Sequence, residues 1–318
     1  RAVLAESTTE KIRNQAARQL ARLAHAGVPG ADPSQWWGIG GRSEQELLPV
    51  KQLSPSRIEA GLNCPLRATL QQVLTDEDTP IQLLRGTLLH AFAEAVALGV
   101  DSSQAEQEVI KAYAELLTGP EWFKATELAN WQQAIAKTAK WLADSRGAFT
   151  QVGVETEARV TVARGNELEP HGVRLVGRID RLEQTAAGDY HIVDLKSGKN
   201  KPSKDNTAEH IQLKAYQLAL KRGKLQGNQI ITDLTGAGMP VDGASLVYPE
   251  YSSANITAVQ AALDDQQLAE FEELLPPLLH QLRGPRLKAS INDGCRSCAL
   301  HSVCPVQDAG RWTTEATK

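Results

Sequence analysis

Two apolar runs, VRLVGRIDRLEQ (173–184) and YHIVDLKSG (190–198), constrain this chain more than any other stretch. Each alternates with the period of two that marks a β-strand, and the TAAGD between them suits a hairpin turn. Each also carries a carboxylate where a core residue is expected, Asp180 in the first and Asp194 in the second. Residues two apart on a strand share a face, so Lys196 points the same way as Asp194, while Val193 and Leu195 point into the opposite layer. If the hairpin closes, Asp180 and Asp194 approach each other. Two unpaired buried carboxylates repel, and one stays protonated unless a cation lies between them. A hard divalent cation removes that penalty, and Mg²⁺ commonly uses one or two carboxylates plus substrate phosphate. Taken alone, D-x-K is also an ordinary surface ion pair on an edge strand.

The rest of the chain gives this hairpin a setting. Residues 1–26 have the spacing of an amphipathic helix, and GVPGADPSQWWGIGG after them is turn-rich and linker-like. In LSPSRIEAGLNCPLRATLQQVL, Ser54 or Ser56 can cap a helix. Pro55 sits where helix starts tolerate it, and Ser56 with Glu59 fits a capping box. IQLLRGTLLHAFAEAVALG predicts a second helix, and about 101–147 is helical again. Its Trp122, Trp131 and Trp141 read as packing residues. From 151 the period changes: VGVETEARVTVA is a strand before the hairpin, EHIQLKAYQLALKRG a helix after it, ASLVYP a strand and 264–282 a helix. The order predicts an α/β core with a mixed sheet, preceded by a helical region. We divide the chain into 1–50 (helix and linker), 51–150 (helical part) and 151–318 (core and cysteine tail).

Composition narrows the function. At 318 residues and 42% hydrophobic content, the chain can bury one large core with a helical annex. A net charge of −4 is too mild for a protein that coats nucleic acid, but it allows a focused groove with a bound metal. No apolar run is long enough to span a membrane, no signal-peptide pattern is present, and no GxxxxGK[ST] loop cradles a nucleotide. A cytoplasmic location is the expectation. The start at Arg1 rather than Met reads as a piece of something longer.

Four cysteines are present, Cys64, Cys295, Cys298 and Cys304. The last three form a tight C-x2-C-x5-C trio, and with one distant thiolate they can make a four-cysteine zinc or iron–sulfur site. Such a site would clip the tail to the N-terminal helical region. His301 lies inside the trio and is an alternative ligand.

Further residues gather around the hairpin. Gln212 and Tyr216 lie four apart on the helix after it and share a face, either as ordinary helix positions or reaching the same phosphates. His90, in GTLLHAF, is a competent metal ligand or a packed histidine. Glu155 opens the preceding strand as a third carboxylate or a solvent-facing one. Lys199, Lys201 and Lys204, in KSGKNKPSK, form either a solvated basic loop or a set of backbone contacts steering a DNA strand past the site. Trp36 and Trp37 can stack bases or dock a neighbouring domain.

The ordered set SPSRIEAGLNCPLR, GTLLHAF, VGVE, GRIDRL, VDLKSG, HIQLKAYQLA and CRSCALHSVCP resembles the RecB-like nucleases of the PD-(D/E)XK superfamily, over about residues 50–306. The resemblance implies a restriction-endonuclease-like core closed by a C-terminal four-cysteine cluster. It implies that His90, Asp180 and Asp194 hold Mg²⁺ or Mn²⁺, that Lys196 is the catalytic lysine, and that Gln212 and Tyr216 complete the site, with Glu155 at the acidic position before them. Asp180 stands in RID rather than after a proline. The resemblance also implies a structural [4Fe-4S] cluster on Cys64, Cys295, Cys298 and Cys304, with Zn²⁺ as the alternative. The stretch AARQLARLAHAGVPGADPSQWWG is similar to the segment joining motor to nuclease in actinobacterial AdnAB-type helicase–nucleases, the AdnA-like subunit in particular. That implies an upstream helicase motor, a second subunit, and resection of DNA ends or single strands. A standalone exonuclease, a non-catalytic DNA-binding scaffold and a zinc-site structural protein are the competing readings.

Overall fold

A computed structural model describes residues 9–32, 50–74 and 81–307, with the side chains of 71–74 and 81–83 left aside. Trp36 and Trp37 lie outside the described residues. Helix α1 spans Glu10–His25, the two-residue strand β1 Gln52–Leu53, α2 Pro55–Asn63 and α3 Pro65–Leu74. An annex follows: α4 (Ile81–Ala97), α5 (Ser102–Leu116) and α6 (Glu121–Ser145). The core then runs β2 (Phe149–Val162), β3 (Val173–Thr185), β4 (Tyr190–Leu195), α7 (Lys204–Ala208), α8 (Ile211–Lys221), β5 (Gly223–Gln226) and β6 (Gln229–Thr232). It closes with β7 (Val241–Val247), β8 (Thr257–Ala261), α9 (Asp265–Glu273), α10 (Leu275–Arg283) and a 3-10 turn at Asp293–Ser297.

The strands form one mixed eight-stranded sheet in the order β5-β6-β2-β3-β4-β7-β8, with β1 parallel to β3. The β3–β4 hairpin closes through the expected turn, with Arg181 opposite Val193 and Gln184 opposite Tyr190. Gly188, at φ +93°, supplies the left-handed residue the turn needs. Strand β4 is central and pairs parallel with β7, so its two faces are both buried, as its run of apolar residues requires.

Two apolar layers cover the sheet. On one face Ile192, Leu246 and Ile179 belong to a core with Ile58 of α2, Leu213 and Leu218 of α8, Phe271 of α9 and Leu279 of α10. On the other, Val193, Leu195 and Val247 pack with Phe92 of α4, Val109 and Tyr113 of α5, and Trp131 and Ile135 of α6. Fully burying each such side chain contributes about 1.5–3 kcal/mol. This double cover holds β4, and with it Asp194, in fixed position.

The structure decides between two offered caps and departs from the sequence reading in three details. Ser54, not Ser56, caps α2: its hydroxyl accepts from the Arg57 amide at 3.2 Å, and Pro55 takes the first helical position. The helix predicted over 264–282 divides at Leu274, where Pro276 and Pro277 open a new helix. Strands β1, β5, β6 and β8 were not expected. Trp131 is fully buried and Trp141 donates to Thr257 Oγ1 at 3.0 Å, but Trp122 is 73% exposed rather than packed. Among the described residues, no helix is long and apolar enough to cross a membrane.

Candidate active site

The site forms at the open end of the β3–β4 hairpin. Its ladder stops at Arg181–Val193, one position short of setting Asp180 directly opposite Asp194. There Asp180 Oδ2 accepts instead from the Leu195 amide at 2.7 Å, which pins its carboxylate beside the next strand. On the other side of β3, Val154 pairs with Arg181 and Thr156 with Ile179, so Glu155 faces Asp180 across the sheet. Glu155 holds φ +48°, a left-handed conformation that costs a non-glycine residue on the order of 1 kcal/mol. That local strain falls on a residue that points into the site.

Helix α4 brings His90 over the same point. Its Nδ1 lies 3.4 Å from Asp180 Oδ2 and 3.9 Å from Glu155 Oε1. His90, Glu155 and Asp180 each offer a ligand atom, and the three atoms lie within 4.8 Å of one another. The sequence reading grouped His90 and Asp180 with Asp194. The three that converge here are His90, Asp180 and Glu155, with Asp194 turned to the neighbouring lysine and glutamine.

Those neighbours lock Asp194 and Lys196 together. Gln212 Nε2 donates to Asp194 Oδ1 at 2.6 Å, while Lys196 Nζ donates to Gln212 Oε1 at 2.5 Å. Gln212 Nε2 also reaches the Tyr216 hydroxyl at 3.3 Å, and that hydroxyl donates to the Arg178 carbonyl at 2.6 Å. The i, i+4 pair of α8 therefore grips the acid, the lysine and strand β3. Gly177 makes the approach possible: a Cβ there would stand 2.8 Å from the Tyr216 ring. Burial pushes the Tyr216 phenol well above its ordinary value, so it stays protonated as a donor.

The electrostatics call for a cation. Asp194 is almost fully buried, and its Oδ2 has no hydrogen bond; Lys196 Nζ lies 2.8 Å away but out of alignment. Burial, and next the charge of Asp194, push the Asp180 carboxyl well above its ordinary value, while the Leu195 amide pulls it back. Burial lowers the pKa of His90, which favours the neutral, ligating imidazole. One imidazole and clustered carboxylates, one of them with an unsatisfied buried oxygen, fit a divalent cation.

Among the basic-loop lysines, Lys201 donates to the carbonyls of Asn255 (2.7 Å) and Thr257 (3.3 Å) and lies over the Tyr251 ring. Lys199 and Lys204 are exposed. The residues that sequence reasoning missed are Arg85, Glu127 and Glu250, in an ion-paired cluster beside the site.

At the far side of α2 and α3, all four cysteines line one cavity. Cys64 and Cys304 are buried and the other two half-buried. Backbone and side-chain bonds tie the tail to this region: the Leu66 amide donates to the Lys288 carbonyl at 3.0 Å, and Asn292 Nδ2 to the Asn63 carbonyl at 3.2 Å. Among the described residues no three sulfurs lie within 4.8 Å of one another, the compact spacing seen at His90.

No curated protein matches the chain. Two solved structures are similar at 12% identity. One, named "Putative exonuclease" from Eubacterium rectale, covers 85% of this chain and 90% of its own at a TM-score of 0.44. The other, SSO0001, covers 93% and 97% at a TM-score of 0.34. Neither likeness carries weight at these scores. The model of the PD-(D/E)XK nuclease superfamily matches residues 52–305, which include every residue of the site. The chain belongs to the PD-(D/E)XK nuclease superfamily.

Proposed function

We propose that this chain is a metal-dependent deoxyribonuclease that hydrolyses phosphodiester bonds in single-stranded DNA or at DNA ends. The observation that carries this reading is the convergence of His90, Glu155 and Asp180 next to the Asp194–Lys196–Gln212 unit. His90, Glu155 and Asp180 would hold Mg²⁺ or Mn²⁺, with Asp194 Oδ2, ion-paired to Lys196, at its edge. Such an ion, when bound, polarises the phosphoryl oxygen and makes water a nucleophile near neutral pH. Lys196 supplies positive charge where negative charge develops on the phosphate, and it can orient the attacking water. Gln212 acts as a positioning residue: it fixes the acid and the lysine relative to each other before substrate arrives. Exposed Lys199 and Lys204 would contact the DNA backbone without reading sequence.

The finer biology rests on sequence resemblance. In this reading the chain is the nuclease module of an AdnAB-type helicase–nuclease that resects double-strand breaks, driven by a motor upstream and paired with a second subunit. A structural [4Fe-4S] cluster on Cys64, Cys295, Cys298 and Cys304, with Zn²⁺ as the alternative, is supported by the cavity the four cysteines share.

The test is cleavage of single-stranded DNA with Mg²⁺ or Mn²⁺, comparing the intact protein with Asp194→Ala. Metal-dependent cutting that the variant loses is the expected result. Equal cutting by both proteins would remove the site from the chemistry. Iron and acid-labile sulfide, assayed on the same anaerobic preparation, test the cluster. Matching amounts of both are expected, and zinc in their place would overturn it.

A further inference from the structure

Immediately after Lys196 the chain enters a second cavity, of about 490 Å³, lined by Ser197, Gly198 and Lys199 together with Arg85, Tyr113, Phe123, Glu127 and Glu250. This volume lies in the range of small-molecule sites. Helix α4 connects it to the metal ligands: Arg85 and His90 are five residues apart, about 7.5 Å along the helix axis.

The polar groups of the cavity are buried and incompletely paired. Arg85 is 6% exposed, and its two terminal nitrogens are taken by Glu127 at 2.9 Å and Glu250 at 2.8 Å. Its Nε and the second oxygen of Glu250, Oε1, are buried without a hydrogen-bond partner. The guanidinium lies 5.4 Å from the centre of the Tyr113 ring. Phe123, which lines the cavity, is 39% exposed; its neighbour Trp122, outside the lining, is 73% exposed, and the two rings meet edge to face.

The ligand chemistry follows from this inventory. A bare phosphate is a poor occupant, because the Arg85 fork is already spent on two carboxylates, and those carboxylates would repel it. A nucleobase is neutral and flat. It carries donors and acceptors on one edge for the Arg85, Glu127 and Glu250 cluster, and a π-face for Phe123. Lys199, exposed at the rim, can meet the phosphate of the same nucleotide.

We propose that this cavity is a nucleobase subsite, which takes one unstacked base of the DNA strand next to the scissile phosphate, with Phe123 as the stacking ring and Trp122 bracing it edge-on. The proposal rests on the nuclease reading for its substrate class, and the two can fail separately.

The test uses the full chain and a fluorescent dT oligonucleotide in EDTA, where no cleavage occurs. A single abasic position is moved along the strand and the affinity read by anisotropy. One position should weaken binding about tenfold in the wild-type protein, the scale of one stacked base. The double variant Trp122→Ala, Phe123→Ala should bind the intact strand about tenfold more weakly and give a flat abasic scan. Both side chains are solvent-exposed, so truncating them leaves the core intact. Wild-type affinity in the double variant, or a flat scan in the wild type, overturns the subsite. Cleavage of the same strand with Mn²⁺ is scored in parallel. Cutting with a flat scan sinks the subsite alone, while a position-dependent scan without cutting upholds the subsite and sinks the nuclease reading.

Discussion

The β3–β4 hairpin buries carboxylates at both of its ends and treats them differently. Near the turn, Glu183 is fully buried, and one of its oxygens accepts from Arg146 at 2.6 Å and Arg181 at 2.5 Å. Across the strand, His191 is held between Asp242 and Ser245, each at 2.8 Å. At the open end the one lysine in contact, Lys196, pairs with Asp194 at 2.8 Å, and the exposed Arg178 stands 3.5 Å from Glu155. Burial pushes Glu183 and Asp180 upward alike. The next influence differs in sign: Arg146 pulls Glu183 down, while Asp194 pushes Asp180 further up. One end carries its countercharge in the chain; the other leaves room for a cation. Burial of an acid is therefore not itself a mark of function in this protein. The missing partner charge is.

Paired substitutions sharpen this contrast most. Asp180→Asn should lower metal-dependent cleavage by at least about 10²-fold, the scale of losing one preorganised electrostatic group. Its thermal midpoint should stay level or rise, because a buried like-charge repulsion is gone. Glu183→Ala should do the reverse. It strands the buried Arg181, costing about 3–5 kcal/mol of stability, while the folded protein at low temperature still cuts DNA. Denaturant unfolding and cleavage rates on the same preparations check both halves. If Asp180→Asn destabilises as much as Glu183→Ala, the open end is structural and the contrast fails.

The legible part of this site was the part written in local pattern. Alternation and a turn signal located the hairpin, and D-x-K put Asp194 and Lys196 on one face. The four-residue spacing of Gln212 and Tyr216 put them on one helix face. The grouping of the ligands was harder, because Glu155 depends on a positive φ that no hydrophobic pattern announces. Strands β5 and β6 have only four residues each, too few for alternation to register. The Arg85 cluster was invisible for another reason. Its partners lie 42 and 165 residues away, so no spacing connects them, and only the fold brings them together. The cap of α2 turned on two serines two residues apart, and only the backbone geometry chose Ser54.

A smaller effect tests the closed end by pH. Glu183 has a folded pKa above its ordinary 4.5, because burial outweighs the pull of Arg146 and, after it, His191. The native state thus holds this proton more tightly than the unfolded chain does. By linkage, stability from this group is fully present below about pH 4.5 and is lost as pH rises through the folded value. Glu183→Gln keeps the shape and removes the titration, so the midpoint of the variant should fall less than that of the wild type as pH rises from 4 into the neutral range. Unfolding curves in EDTA across that range, with the two proteins side by side, measure the difference. Parallel curves would mean that Arg146 and Arg181 hold Glu183 ionised throughout, which makes the two ends of the hairpin more unlike than burial alone allows. A wild-type curve that falls away from the variant's would mean that the arginines only partly offset desolvation, and that the ends differ in the degree of compensation rather than in kind.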